Sequence, residues 1–336
     1  MSDRQISEEE ATKLVLDRSL KAQEEKGPDL RQLHAKSHGL VYGKFIINDN
    51  IPDRMKVGVF AGKEYPIWVR FSNSAPPKER GVLEPDTNPA GRGMAIKLMS
   101  VAGKKIMDDE ERTQDFVLLN FPRFFVRDAQ EYLIVFSAEA GIMPTSPELQ
   151  EVVVRAKQIR EEIGARKVEN PLRIQYWSTT PYQLGSQTIK FAVQPEDVES
   201  PPNSIEGSDA NYLRAAIRKY LTEDAKTTKF KFLIQPYIDD NLTPIEDPTK
   251  EWNSEPIEVA TIVIPPQSFD FDERKRLDES LSFTPWHSLY EHEPVGKVNL
   301  SRKEIYHQIA QHRRQFIEKR LREPQPYEAI KDDPKT

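Results

Sequence analysis

The sequence predicts an α+β domain in which helices surround an antiparallel sheet or barrel. Short apolar runs broken by Gly, Pro and Asn fill residues 40–119, and similar runs return between 172 and 264. Helical periodicity is confined to the start, one middle stretch and the end. Strands, a helix, more strands and then helices are the order of an α+β fold.

Ser7-Glu8-Glu9-Glu10 is a capping box, so a surface helix is expected to about residue 25. The runs at 67–71, 94–98 and 116–119 read as strands. Ser146 and Pro147 supply an N-cap and a first-turn proline, and Leu149, Val152, Val153, Ala156, Ile159 and Ile163 then share one helix face. Strands are expected at 172–177, 188–193, 230–235 and 259–264, with a short helix at 211–221. Beyond Phe269 the chain turns helical, passes an irregular Pro/His-rich segment at 283–296, and ends in a helix over 301–321. No repeat or linker divides it. The expected organisation is an N-terminal helical arm (1–26), one core domain (27–321) and a flexible tail (322–336).

Composition narrows the function. The chain has 336 residues, 48 Lys+Arg, 54 Asp+Glu and no Cys. Without cysteine there are no disulfides, thiolate metal sites or thiol nucleophile. The net charge of −6 gives no reason to expect nucleic acid or an anionic membrane as partner. No apolar stretch is long enough to insert in a membrane, and the acidic start lacks the pattern of a secretory signal. A cytoplasmic globular protein is expected. GxGxxG, GxxxxGK[ST], GxSxG and HExxH are all absent, which argues against nucleotide, serine-hydrolase and zinc chemistry.

Three segments carry chemical interest. In Arg31-Gln32-Leu33-His34-Ala35-Lys36, nearby cations would lower the imidazole pKa of His34 and leave it a neutral base; a half-exposed loop histidine is the alternative. Arg70 and Ser72 alternate onto one strand face, where a buried Arg needs an anion and a Ser can orient a His. An ordinary Arg–carboxylate pair would satisfy the same Arg. Asn120 is a polar group in apolar company before Phe121-Pro122-Arg123-Phe124-Phe125, so it must be hydrogen-bonded or functional.

In this order, HAK (34–36), GxxxGxF (39–45), VRFS (69–72), RGMAIK (92–97) and QDF…NxPxFFVRD (114–128) resemble the haem-dependent catalase family. The resemblance is close over 31–45, 69–98 and 115–128, and looser to 315. It implies a haem buried against a central antiparallel β-barrel and a hydroperoxide as substrate. His34 would be the distal base, Asn120 the amide that orients the peroxide, and Ser72 the hydroxyl that supports His34. Arg31 and Arg70 would hold haem propionates. The length is closer to compact relatives, among them peroxidases and allene oxide synthases of fatty-acid hydroperoxides. A homodimer is the matching expectation.

One departure matters. Catalases ligate the iron through a Tyr preceded four residues earlier by an Arg that keeps the phenol ionised. No Arg-x-x-x-Tyr occurs within 280–290, the segment read as its counterpart. Three arrangements remain open: His287 as iron ligand, Tyr290 as an unassisted tyrosinate, or a haem-free scaffold that binds an apolar ligand or a protein partner. Loss of the motif points to organic or fatty-acid hydroperoxides rather than hydrogen peroxide. His307 and His312, with Arg302, Arg313 and Arg314, read as a solvated or packing face of the last helix.

Overall fold

The computed structural model describes residues 6–197, 209–317 and 323–330. Its elements in chain order are α1 (Glu8–Lys26), β1 (Ser37–Ile47), β2 (Glu64–Asn73), β3 (Arg92–Met99), β4 (Thr113–Leu119), α2 (Ala129–Glu139) and α3 (Pro147–Ala165). There follow β5 (Tyr176–Trp177), β6 (Tyr182–Leu184), β7 (Gln187–Pro195), α4 (Tyr212–Arg218), β8 (Thr228–Pro236) and β9 (Ile257–Ile264). The chain then forms α5 (Asp272–Ser280), α6 (Lys297–Arg314) and the short α7 (Tyr327–Ile330).

Every strand pairing is antiparallel, in the order β5-β4-β3-β2-β1-β9-β8-β7-β6. The sheet closes because the two-residue β5 also pairs with β7, giving an eight-stranded ring to which β6 is appended. Side chains alternate across each strand. Ile67, Val69 and Phe71 of β2, Met94, Ile96 and Leu98 of β3, and Phe116 and Leu118 of β4 therefore point inward. Phe45, Phe60, Phe116, Phe191 and Phe232 meet at the centre, with Phe232 5.0 Å from Phe45 and 4.9 Å from Phe116 between ring centroids. An eight-stranded ring is just wide enough for side chains to fill. The interior is thus packed, and chemistry is left to the outer wall.

The outer-wall positions of β2, β3 and β4 are Trp68, Arg70, Ser72, Gly93, Lys97 and Asp115. Helices cover part of this wall. Ala11 and Val15 of α1 pack on Ala129 and Leu133 of α2, with Tyr132 and Ile305 of α6 at the edge.

The expected strand runs all lie in strands, although of 172–177 only Tyr176–Trp177 is extended. Two elements had weak signals. Glycines interrupt β1 because its neighbours leave no room: a Cβ on Gly43 would lie 2.5 Å from the Val263 carbonyl oxygen. Helix α2 is largely apolar, with its few polar residues scattered so that no periodic stripe stands out, but Asp128 caps it by accepting from the Glu131 N–H at 2.9 Å. The final helix spans Lys297–Arg314 rather than 301–321, and 318–321 lie outside the described residues.

Part of the expected flexible tail is docked. Trp68 Nε1 donates to the Gln325 carbonyl at 2.8 Å, and Tyr327 stacks on Tyr42 at 3.8 Å between centroids. The Glu323 carboxylate accepts from the Glu111 and Arg112 N–H groups. Among the described residues, no helix is long and apolar enough to cross a membrane.

Candidate functional site

His34 lies in the irregular segment between α1 and β1, with φ of +56°. A non-glycine residue there carries strain of about 1–3 kcal/mol, which surrounding contacts must hold. Two do. His34 Nδ1 and Ser72 Oγ share a hydrogen bond of 2.9 Å. Beneath the ring is Gly93, where a Cβ would lie 2.5 Å from His34 Nδ1 and 2.8 Å from Ser72 Oγ. Any other residue at 93 would displace the imidazole. Burial, followed by the charges of Arg70, Arg302 and Arg31, lowers the His34 pKa to about 3, so the ring is neutral at ordinary pH.

Asn120 follows β4 directly. Its Oδ1 accepts from the Arg92 N–H at 2.7 Å, and its own N–H donates to the Arg92 carbonyl at 2.9 Å. The amide is pinned across β3 and β4, and among the described residues Nδ2 has no partner. Arg92 is anchored in turn, donating to Asn73 Oδ1 and to the Asp86 carbonyl. His38 Nε2 lies 2.9 Å from the same Asn73 oxygen, so it donates there and serves this supporting network.

His34, Arg31 and Arg302 are surrounded by protein densely enough that burial dominates their ionisation, yet each keeps some accessible surface. A cleft of about 810 Å³ lies between α1 and α6, and none of these residues lines it.

The expected arginines come together, but on an anion belonging to the chain. Arg70 Nε donates to Asp278 Oδ1 at 2.6 Å, and Arg31 Nη1 lies 3.6 Å from the same oxygen. Arg31 Nη2 also caps the end of α5, donating to the Asp278 and Leu281 carbonyls.

His287 and Tyr290 are not placed as iron ligands. His287 Nδ1 is 3.0 Å from Asp115 and 3.3 Å from Glu110, while Nε2 is 3.0 Å from Asp109. Burial opposes its charge, but these carboxylates raise its pKa to about 9. With both nitrogens donating to carboxylates, no lone pair remains for a metal. Lys97 Nζ, 2.7 Å from Asp115, already supplies a cation where Glu110, Asp115 and His287 converge. Tyr290 is half exposed, with Lys104 Nζ 4.6 Å over its ring. His292 is structural as well: its Nε2 accepts from the Val59 N–H at 3.0 Å.

The sequence reading missed a pair on α6. Arg302 Nη2 donates to Tyr306 Oη at 3.0 Å, and Nη1 donates to Thr180 Oγ1 and Asn299 Oδ1. Burial opposes the Arg302 charge, but Tyr306 and Tyr182 raise its pKa above the usual value. Residues 302–306 read Arg-x-x-x-Tyr, the spacing sought unsuccessfully at 280–290. One helical turn brings the two side chains together. The signal was visible, but the charge and histidine content of this stretch made it read as a solvated or packing face.

A barrel with polar groups on its outer wall, a neutral histidine, a pinned amide and an Arg–Tyr pair make up the candidate site. The Catalase family model matches residues 12–140, which include every residue expected on the distal side. The curated relatives agree over a limited span. Catalase easC of Claviceps fusiformis is 36% identical over 110 residues, 32% of this chain and 20% of that protein. The catalase of Pseudomonas syringae pv. syringae is 34% identical over 103 residues, 30% of this chain and 18% of its own. The matched region is thus about a fifth of the curated relatives' length.

Solved structures extend the likeness to the whole fold. A fungal catalase superposes with a TM-score of 0.65 at 18% identity, over 89% of this chain and 62% of its own. Catalase A from Saccharomyces cerevisiae gives 0.66 at 18% identity, over 84% and 61%.

Proposed function

We propose that this chain is a haem-dependent oxidoreductase that consumes a hydroperoxide. The observation that carries the reading is the set His34, Ser72, Gly93 and Asn120 on the outer wall of the barrel, with the Arg302–Tyr306 pair close enough for Arg302 to depress His34. The donors suit the cofactor. Tyr306 would offer its phenolate oxygen to the iron, and Arg302 would stabilise that charge. Haem, when bound, supplies the redox-active iron that breaks the peroxide O–O bond.

The remaining work falls to the chain. When Nδ1–H donates to Ser72, His34 Nε2 carries the free lone pair; it takes the hydroperoxide proton and returns it to the departing oxygen. Water or an alcohol leaves. Asn120 Nδ2 donates to the peroxide and fixes its direction. Since Arg-x-x-x-Tyr is present at 302–306, its absence from 280–290 no longer favours organic over hydrogen peroxide. Hydroperoxide is therefore the substrate class, and cytoplasmic and dimeric states remain expectations of this proposal.

The test is the absorption spectrum of the full chain before and after hemin. A stable Soret band that shifts in Tyr306→Phe, with peroxide turnover lost in His34→Ala while the band persists, supports the assignment. Colourless protein that takes up no hemin overturns it. That result would favour a haem-free scaffold, a reading for which the engagement of Arg31 and Arg70 by Asp278 speaks. Hydrogen peroxide and cumene hydroperoxide, assayed side by side, define the preferred substrate.

A further inference from the structure

Three arginines converge at the end of α5. Arg31 and Arg70 meet at Asp278 Oδ1, and Arg313 donates to the Glu279 and Leu281 carbonyls. Asp278 is buried, and although burial opposes its charge, Arg70 and Arg31 hold its pKa below the usual carboxylate range. Arg70 and Arg313 are buried as well, and each already donates to partners within the chain. A carboxylate-bearing ligand would therefore meet arginines that already have a partner.

We propose that Asp278 is a resident counter-ion that weakens the grip of this arginine cluster on ligand carboxylates, the propionates of haem included. The inference rests on the haem reading above and adds a determinant of affinity and exchange. An incoming carboxylate must share Arg31 and Arg70 with Asp278 or displace it, and either course costs part of the charge-assisted bonding. The cluster nonetheless has more guanidinium than carboxylate charge, so one further anion is tolerated. The cofactor would then be held by its ring and axial contacts more than by its acid groups, and would exchange readily.

The experiment uses the full chain and two probes, hemin and hemin dimethyl ester, whose acid groups are blocked. Transfer of each to excess apomyoglobin is followed at the Soret band. Asp278→Asn keeps the size and an acceptor for Arg70 while removing the charge. It should slow hemin transfer by about tenfold or more, the effect of one charge-assisted hydrogen bond regained. Transfer of the ester should be unchanged.

Equal or faster hemin transfer from the variant overturns the proposal. If the variant does not fold, wild type alone decides. Retention of hemin over its ester by less than about tenfold supports a counter-ion already in place, and a preference of about a hundredfold or more refutes it. If wild type takes up neither probe, the haem reading itself fails, a separate outcome.

Discussion

At the residue scale, two histidines pulled in opposite directions make different predictions. His34 is lowered to about 3 by burial and neighbouring arginines, so it is neutral throughout the ordinary range. The acid limb of kcat/KM for peroxide should therefore fall below about pH 4, and a limb near the ordinary imidazole value of about 6.5 would contradict the environment described. His287 is raised to about 9. It contributes stability that is complete below its unfolded value of about 6.5 and is lost as pH rises through 9. The contribution is about 3 kcal/mol at most. Tm should fall between about pH 7 and 10, and His287→Gln should flatten that decline in thermal scans.

Gly93→Ala tests the cradle beneath His34. The variant should fold, but peroxide turnover should drop about a hundredfold or more as the ring moves, the range for losing a general base. Unchanged turnover would show that the ring does not need its seat.

The residues proposed for the distal side were legible in the sequence because motifs of a few residues carry them: His34 within HAK, Ser72 within VRFS, Asn120 before Pro122. His287 was not. Its partners Lys97, Asp109, Glu110 and Asp115 lie far away in the chain, and only the barrel brings them together. Nor could the sequence reveal that the anion for Arg31 and Arg70 is Asp278, some 200 residues further on.

At the element scale, apolar alternation made the strands readable. Phe232 on β8 is an example: fully buried, it touches rings from four other segments. Phe232→Ala should cost about 3–5 kcal/mol in denaturant titrations, the usual range for emptying such a site. A cost near zero would mean that the ring cluster relaxes around the gap. Helix α6 was the element read least well. Its sequence fits a solvated or a packing face, and it packs: Arg313 is buried, and His312 reaches Gln23 and Glu24 of α1. Charge on a helix face identifies it as exposed only when no neighbour answers that charge, and the neighbours here come from α1, α5 and the Thr180 loop.

At the scale of the whole molecule, one barrel organises everything, and the C-terminal segment braces it from outside. Tyr42, Trp68 and Tyr327 enclose Arg274, whose guanidinium lies 4.7 Å from the Trp68 ring centroid. Truncation after 322 should expose Trp68, shifting tryptophan emission to the red and lowering Tm. An unaltered spectrum would show that the brace is dispensable.

The ring's closure has a consequence for how the protein fails. Most seams are long ladders, but β4 meets β5 through the single pair Leu119–Trp177, and β5 meets β7 through two. Amide hydrogens at this join should exchange with solvent long before those of β2 and β3. Asn120 is the next residue past the join. On gentle heating, the grip on the peroxide should therefore loosen while circular dichroism still reports an intact barrel, so inactivation would precede melting.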